Sequence, residues 1–327
     1  MASNNKFPLP TMGCGTWAWG NRLLWGYDES MDAELQAVFN LCAANGATFF
    51  DTGDSYGTGR LQGRSEQLLG QFFRGYSGTN RDGICLATKL APYPWRLTKG
   101  AMLAACKASA QRFGRPVDLV QMHWSTANYF PWQEWPLLDG LAQLYQDGQV
   151  KGVGLSNFGP KRLRKVHRWL AERGVPIATL QVQYSLLSTY PVTELGLKET
   201  CDELGIQLIA YSPLALGLLT GKYSLETGNL PTGLRGWLCR QLLPGARSLL
   251  SCLEEIATTR GKTMAQVALN WCICKGTMPI PGAKTVQQAT QNLGALGWQL
   301  EAGEVAALDR EAAQVKKPMV QNIFQSR

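Results

Sequence analysis

Short apolar runs alternate with longer amphipathic ones eight times along the chain, the pattern of repeated parallel strand–helix units. The strand-like runs are residues 12–17, 48–51, 84–89, 119–123, 150–155, 179–183, 207–211 and 278–281. Between them Leu35, Val38, Phe39 and Cys42 recur at helical spacing, as do Leu137, Leu138, Leu141 and Leu144. Helical patterning also covers 65–73, 98–113, 161–173, 194–204, 248–274 and 286–293, and a further helix is expected at 302–315. No Pro/Gly/Ser linker or low-complexity tract divides the units. The pattern therefore fits one domain over residues 1–327, an α/β fold of the closed (β/α)8 TIM-barrel type, better than an open sheet. The glycine-rich stretch 214–247, between the seventh strand and its helix, reads as a functional loop or lid, and the tail after the last helix as packing over one mouth of the barrel.

Composition narrows the class. With 45% hydrophobic and only 17% charged residues among 327, the chain can bury a large core and is no disordered, collagenous or coiled-coil sequence. Lys and Arg exceed Asp and Glu by 32 − 24 = 8, which suits a phosphate-bearing ligand and falls short of a dedicated nucleic-acid binder; simple solubility accounts for it equally well. His167 lies among Lys161, Arg162, Arg164, Lys165 and Arg168, read as a solvated face. Nine scattered cysteines with no C-x-x-C pair argue for reduced thiols and no metal site. The N-terminus lacks an apolar signal region, and Pro213 breaks the longest apolar stretch, 208–219, so no membrane span is expected. The expectation is a soluble, cytoplasmic protein, or a plastid one if a transit segment is missing.

Reactive groups of a β/α barrel sit where strands end. The second strand ends at Asp51, with Tyr56 in the loop behind it; the third ends at Lys89 and the fourth at His123. A lysine ammonium beside a tyrosine hydroxyl favours phenolate and makes the tyrosine a usable general acid near neutral pH. Asp51 supplies the counter-charge a buried Lys89 needs, and the His123 imidazole can hydrogen-bond a substrate carbonyl oxygen. Taken singly, each residue also reads as a cap, a solvated strand end or a core hydrogen-bonder; together they describe protonation of a carbonyl oxygen while hydride reaches its carbon.

This set resembles the aldo-keto reductases, whose tetrad is an Asp, a Tyr, a Lys and a His at these strand ends. The resemblance runs from Gly13-Cys14-Gly15-Thr16-Trp17 through 51–57, Leu155-Ser156-Asn157-Phe158, Tyr211-Ser212-Pro213-Leu214 and Gly221-Lys222-Tyr223 to Pro281-Gly282-Ala283-Lys284. Stretches 23–27, 91–98, 123–126, 271–276 and 321–327 are similar to the plant pyridoxal reductase subgroup. Departures are small: Gly53 where the family often has Ala, and Gln291 where Glu is frequent.

No G-x-G-x-x-G follows the first strand and no Tyr-x-x-x-Lys occurs, which disfavours Rossmann and short-chain dehydrogenases. In a barrel the loops after strands seven and eight hold phosphates. Ser212, Leu214, Gly217, Lys222 and Arg235 lie on one such loop, Gly282 and Lys284 on the other. Gln288, Gln291 and Asn292 fall at i, i+3 and i+4 on one helix face, and a cationic Lys284 beside that helix suggests NADP(H) over NAD(H). The resemblance implies the pyrophosphate on the first set, the 2′-phosphate on Lys284, the adenine near the helix, the nicotinamide carboxamide on Ser156, Asn157 and Gln181, and its ring on Tyr211. Thr16, Trp17 and Asp51 complete the expected cofactor contacts.

Trp17, Trp19, Trp25, Trp95 and Trp124 all follow the first, third or fourth strand, implying an aromatic pocket for a flat carbonyl compound. Trp17, Trp25, Trp95 and Trp124 are taken as substrate-binding, with lid packing as the alternative for some. The expected protein is a monomeric NADPH-dependent carbonyl reductase acting on a small molecule, with pyridoxal the first substrate to test and neither nucleic acid nor membrane as partner. A broad carbonyl-detoxifying reductase, a redox-sensing module resembling potassium-channel β subunits, and a Schiff-base aldolase using Lys89 are the alternatives.

Overall fold

The computed structural model describes residues 7–59, 62–316, 318, 319 and 326. Eight parallel strands form one sheet in sequence order: β1 (Cys14–Gly15), β2 (Phe49–Asp51), β3 (Cys85–Leu90), β4 (Leu119–Met122), β5 (Gly152–Ser156), β6 (Ile177–Gln183), β7 (Gln207–Tyr211) and β8 (Met278–Pro279). The sheet closes on itself, because Gly13 N donates to Pro279 O at 3.0 Å and Gly15 N to Pro281 O at 3.2 Å. These are the barrel and the eight strands the alternation predicts.

Helices wrap the outside: α1 (Arg22–Trp25), α2 (Asp32–Ala44), α3 (Arg64–Gly75), α4 (Lys99–Phe113), α5 (Pro131–Gln146), α6 (Pro160–Ala171), α7 (Tyr190–Thr193), α8 (Leu197–Leu204), α9 (Gly233–Leu242), α10 (Arg247–Arg260), α11 (Met264–Cys274), α12 (Val286–Leu293) and α13 (Ala302–Ala313). The stripes on α2 and α5 are buried as their spacing requires, and Phe39 of α2 stacks on Phe50 of β2 with centroids 4.3 Å apart. Two expectations change. The continuous helix over 248–274 is two helices: Gly261 ends α10 at φ +59°, and Thr263 opens α11 through a capping box with Gln266. The loop over 214–247 contains α9 and two 3₁₀ turns, so its glycines punctuate short helices.

Inside the barrel the strands alternate, and one set of side chains points to the axis. Near the N-terminal mouth this set is apolar: Phe49, Cys85, Ala87, Leu119, Ile209, Met278 and Ile280 form a cluster, with Phe7 and Leu9 packed against it. Phe7 lies over Gly152, where an added Cβ would come within 2.7 Å of its ring. Two residues further along β2, β3 and β4 the inward positions are Asp51, Lys89 and Gln121, joined by Gln181 of β6, and the barrel changes from a greasy plug to a polar floor. Among the described residues no helix is long and apolar enough to cross a membrane.

Candidate active site

Above that floor a cavity of about 910 Å³ opens at the C-terminal ends of the strands. Asp51, the last residue of β2, accepts hydrogen bonds from three buried side chains: Lys89 Nζ on Oδ2, and Gln121 Nε2 and Gln181 Nε2 on Oδ1 at 3.0 and 2.8 Å. Tyr56 lies over the pair, its ring centroid 5.0 Å from Lys89 Nζ. His123, just past β4, meets Tyr56 edge-on at 5.7 Å, and Ser55 Oγ is 3.4 Å from its Nδ1. Tyr56 and His123 keep partial exposure, and both line the cavity.

Electrostatics here differ from expectation in one respect. Burial, then the carboxylates of Asp51 and Asp54, hold the Tyr56 hydroxyl well above its ordinary value of 10. Asp51 neutralises the charge of Lys89, so the phenol is protonated; that is the form that donates a proton. Burial draws Lys89 below the usual 10.5 while Asp51 opposes it. Burial and then the Lys89 charge keep His123 well below 6.5, so it is a neutral hydrogen-bonding imidazole at physiological pH.

The next ring of residues is tightly linked. Asn157 Nδ2 donates to His123 O and to Ser156 Oγ, each at 3.1 Å, and its Oδ1 accepts from Tyr211 Oη at 3.0 Å. Asn157 and Ser212 have φ of 61° and 51°, left-handed values that non-glycine residues rarely adopt and that cluster at functional sites. Gln181 directs its amide nitrogen to Asp51 and, at 3.4 Å, to Gln121 Oε1, which leaves its carbonyl oxygen as the polar atom for a ligand. Thr16 is fixed by bonds to Asp51 O and Ser65 Oγ at 3.0 and 2.7 Å.

At the far end of the cavity three cations converge from the loops after β7 and β8: Lys222, Arg235 and Lys284. Burial and the charges of Arg235 and Lys222 lower the Lys284 ammonium below its ordinary value. Lys284 Nζ donates to Trp25 O at 2.9 Å, the Arg235 guanidinium lies 4.2 Å from the centre of the Trp25 ring, and Arg235 Nη2 donates to Leu216 O and Tyr223 Oη. Arg235 Nε and Trp25 Nε1 are buried without an acceptor, which costs about 1–3 kcal/mol per group. Three like charges with orphaned donors among them fit an anionic, phosphate-bearing ligand. On α12, whose N-cap is Thr285, Gln288 Oε1 accepts from Lys284 N at 2.8 Å and Asn292 Nδ2 donates to Gly282 O at 3.3 Å, so both amides brace the loop carrying Lys284. Gln291 also lines the cavity, as do Leu214 and Gly217.

The structure thus brings every expected site residue to one cavity except Trp95. That ring is 72% exposed and stacks on Tyr93 outside it. Trp19 is also displaced from the mouth, fully buried in the core with Nε1 on Ala283 O. Trp25 lines the cavity but reaches its cationic end, touching Trp17 edge-on at 5.7 Å. Sequence reasoning missed Gln121, Tyr223, Gln287 and Met319, all close to the site. The alternation of inward positions on β4 could have flagged Gln121, two residues before His123. Met319 N donates to Leu187 O, and Ser326 N to Asn157 O, so the tail does reach this mouth; residues 321–325 and 327 lie outside those described.

A closed eight-stranded barrel with this constellation defines a class, and comparison agrees: the chain belongs to the aldo/keto reductase family, whose model matches residues 11–312. It is 56% identical over 319 residues to the chloroplastic pyridoxal reductase of Arabidopsis thaliana, covering 97% of this chain and 87% of that protein. It is 31% identical to L-glyceraldehyde 3-phosphate reductase of Escherichia coli K12, covering 93% and 89%. Among solved structures, an aldo/keto reductase from Klebsiella pneumoniae in complex with NADP and acetate matches with TM-score 0.71 and 26% identity, covering 97% of this chain and 95% of that one.

Proposed function

We propose that this protein is an NADPH-dependent carbonyl reductase whose substrates include pyridoxal, reduced to pyridoxine. The observation that carries the reaction is the enclosed Tyr56–Lys89–Asp51–His123 group on the floor of a cavity that ends in Lys222, Arg235 and Lys284. A bound nicotinamide supplies hydride. Tyr56 supplies the proton to the carbonyl oxygen, Lys89 and Asp51 set the field around it, and neutral His123 orients the same oxygen by hydrogen bonding. Ser156, Asn157, the Gln181 carbonyl and Tyr211 would hold the nicotinamide end, and Lys222, Arg235 and Lys284 would take the phosphates, Lys284 the 2′-phosphate.

The substrate class rests on likeness to the Arabidopsis pyridoxal reductase and on Trp17 and Trp124 around the mouth, which favour a flat ring. The aromatic lining also favours a second reading, a broad reductase of reactive carbonyls. Specificity constants for pyridoxal, its 5′-phosphate and a plain aromatic aldehyde at fixed NADPH separate the two. Pyridoxal is expected to exceed the phosphate form, whose dianion must be desolvated. A plain aldehyde turned over far better than pyridoxal would overturn the narrower reading. A monomer in a reducing compartment suits nine unpaired cysteines, cytoplasm and plastid being the two candidates, and imaging of a fluorescent fusion decides between them.

A further inference from the structure

The register of four neighbouring strands places Lys89, Gln121, Gly154 and Thr179 side by side at one level of the barrel. Gln121 is fully buried there and, with Lys89, is one of two members of this level whose side chains bond Asp51. Its Nε2 donates to Asp51 Oδ1 at 3.0 Å; its Oε1 accepts from Gln181 Nε2 at 3.4 Å and from Thr179 Oγ1 at 3.5 Å. The two oxygen-side donors fix which way the amide faces. Gly154 makes the space: a Cβ there would lie 2.9 Å from Gln121 Cγ and 2.2 Å from Thr179 Oγ1. A glycine on β5 is thus what lets a long amide cross the barrel beneath the reacting groups.

We infer that Gln121 is a positioning residue for the proton-donating side of the site: it holds the Asp51 carboxylate turned toward Lys89 and the Gln181 amide turned toward the barrel. This rests on the reductase reading for its effect on turnover. Asp51 has two oxygens and one cation. With Oδ2 on Lys89, the negative charge remaining on Oδ1 is met by the Gln121 and Gln181 amides at a residue only 2% exposed, and loss of a donor strengthens the field that Asp51 exerts on Tyr56. The titratable groups around this point are Asp51, Asp54 and Tyr56 from β2 and its loop, Lys89 and Cys85 from β3, His123 behind β4 and Cys14 of β1; from β5 and β6 the uncharged Gly154, Thr179 and Gln181 pack against it.

Gln121→Glu is the informative variant, because a protonated carboxyl can still donate to Asp51 whereas an ionised one repels it. The expected result is a kcat close to native at the acid end of the profile and a fall of about ten- to hundredfold as the introduced carboxyl ionises, over a range where the native profile is flat. Gln121→Met, which keeps the volume and removes the donor, should be slow at every pH. A Gln121→Glu profile parallel to the native one, or a Gln121→Met variant with native kcat, would overturn the inference; if one variant does not fold, the other decides. Should the native protein oxidise no NADPH with any aldehyde, the reductase reading fails. The placement of Gln121 is then judged from the melting midpoint of Gln121→Glu, expected to fall with rising pH relative to native and contradicted by a constant difference.

Discussion

A phenol closed in beside two carboxylates keeps its proton to high pH, and this sets what Tyr56 can do. With its hydroxyl held well above 10, the rate of carbonyl reduction is expected to stay level through the neutral range and to decline only in strong alkali. Tyr56→Phe should lower kcat about 10²- to 10⁴-fold while NADPH affinity, read by quenching of tryptophan fluorescence, stays near native. A variant with more than half the native rate would remove Tyr56 from the role. His123 makes a thermodynamic prediction. Its folded value lies well below 6.5, so below that pH the unfolded chain binds a proton the folded one does not, and stability is lost as pH falls through the unfolded value. The melting midpoint should therefore drop on acidification below 6.5, and drop less steeply in His123→Asn; parallel curves would show that His123 is not the group responsible.

At the scale of elements, the loops after β7 and β8 bring three cations to one end of the cavity, where Arg235 and Lys284 contact Trp25 of α1. Lys284→Glu should weaken NADPH about ten- to a hundredfold and NADH little, because only NADPH carries the 2′-phosphate; equal losses in a binding titration would place that phosphate elsewhere. Element positions were legible from spacing: β7 is observed with the predicted bounds, and α12 likewise. The merged helix over 248–274 was not, since Gly261 and the Thr263–Gln266 box are local stop and start signals lying within an apolar pattern that continues through both helices. Trp95 failed for a different reason. Its position after β3 is correct, but whether a loop ring turns into the cavity or stacks outward on Tyr93 depends on the neighbours the loop meets.

For the whole molecule, the barrel is sealed at one mouth and open at the other. Phe7 and Leu9 cap the apolar end, and Phe7→Ala should destabilise the fold by about 2–3 kcal/mol in denaturant unfolding, less than a fully buried Phe because the ring is partly exposed, with no change in KM. A rise in KM without loss of stability would mean that the plug communicates with the site instead. The amino-acid sequence alone determined the eightfold alternation, and with it the barrel, the face on which chemistry sits, and the strand ends bearing Asp51, Lys89 and His123, because period-2 and period-3.6 patterns are properties of nearest neighbours along the chain. Only the tertiary structure decided that Asp51 is shared by Lys89, Gln121 and Gln181, that burial keeps the Tyr56 phenol protonated, and that Trp25 lies at the cationic end. Those outcomes depend on contacts between residues 38 to 259 positions apart, and on the burial that closing the barrel creates.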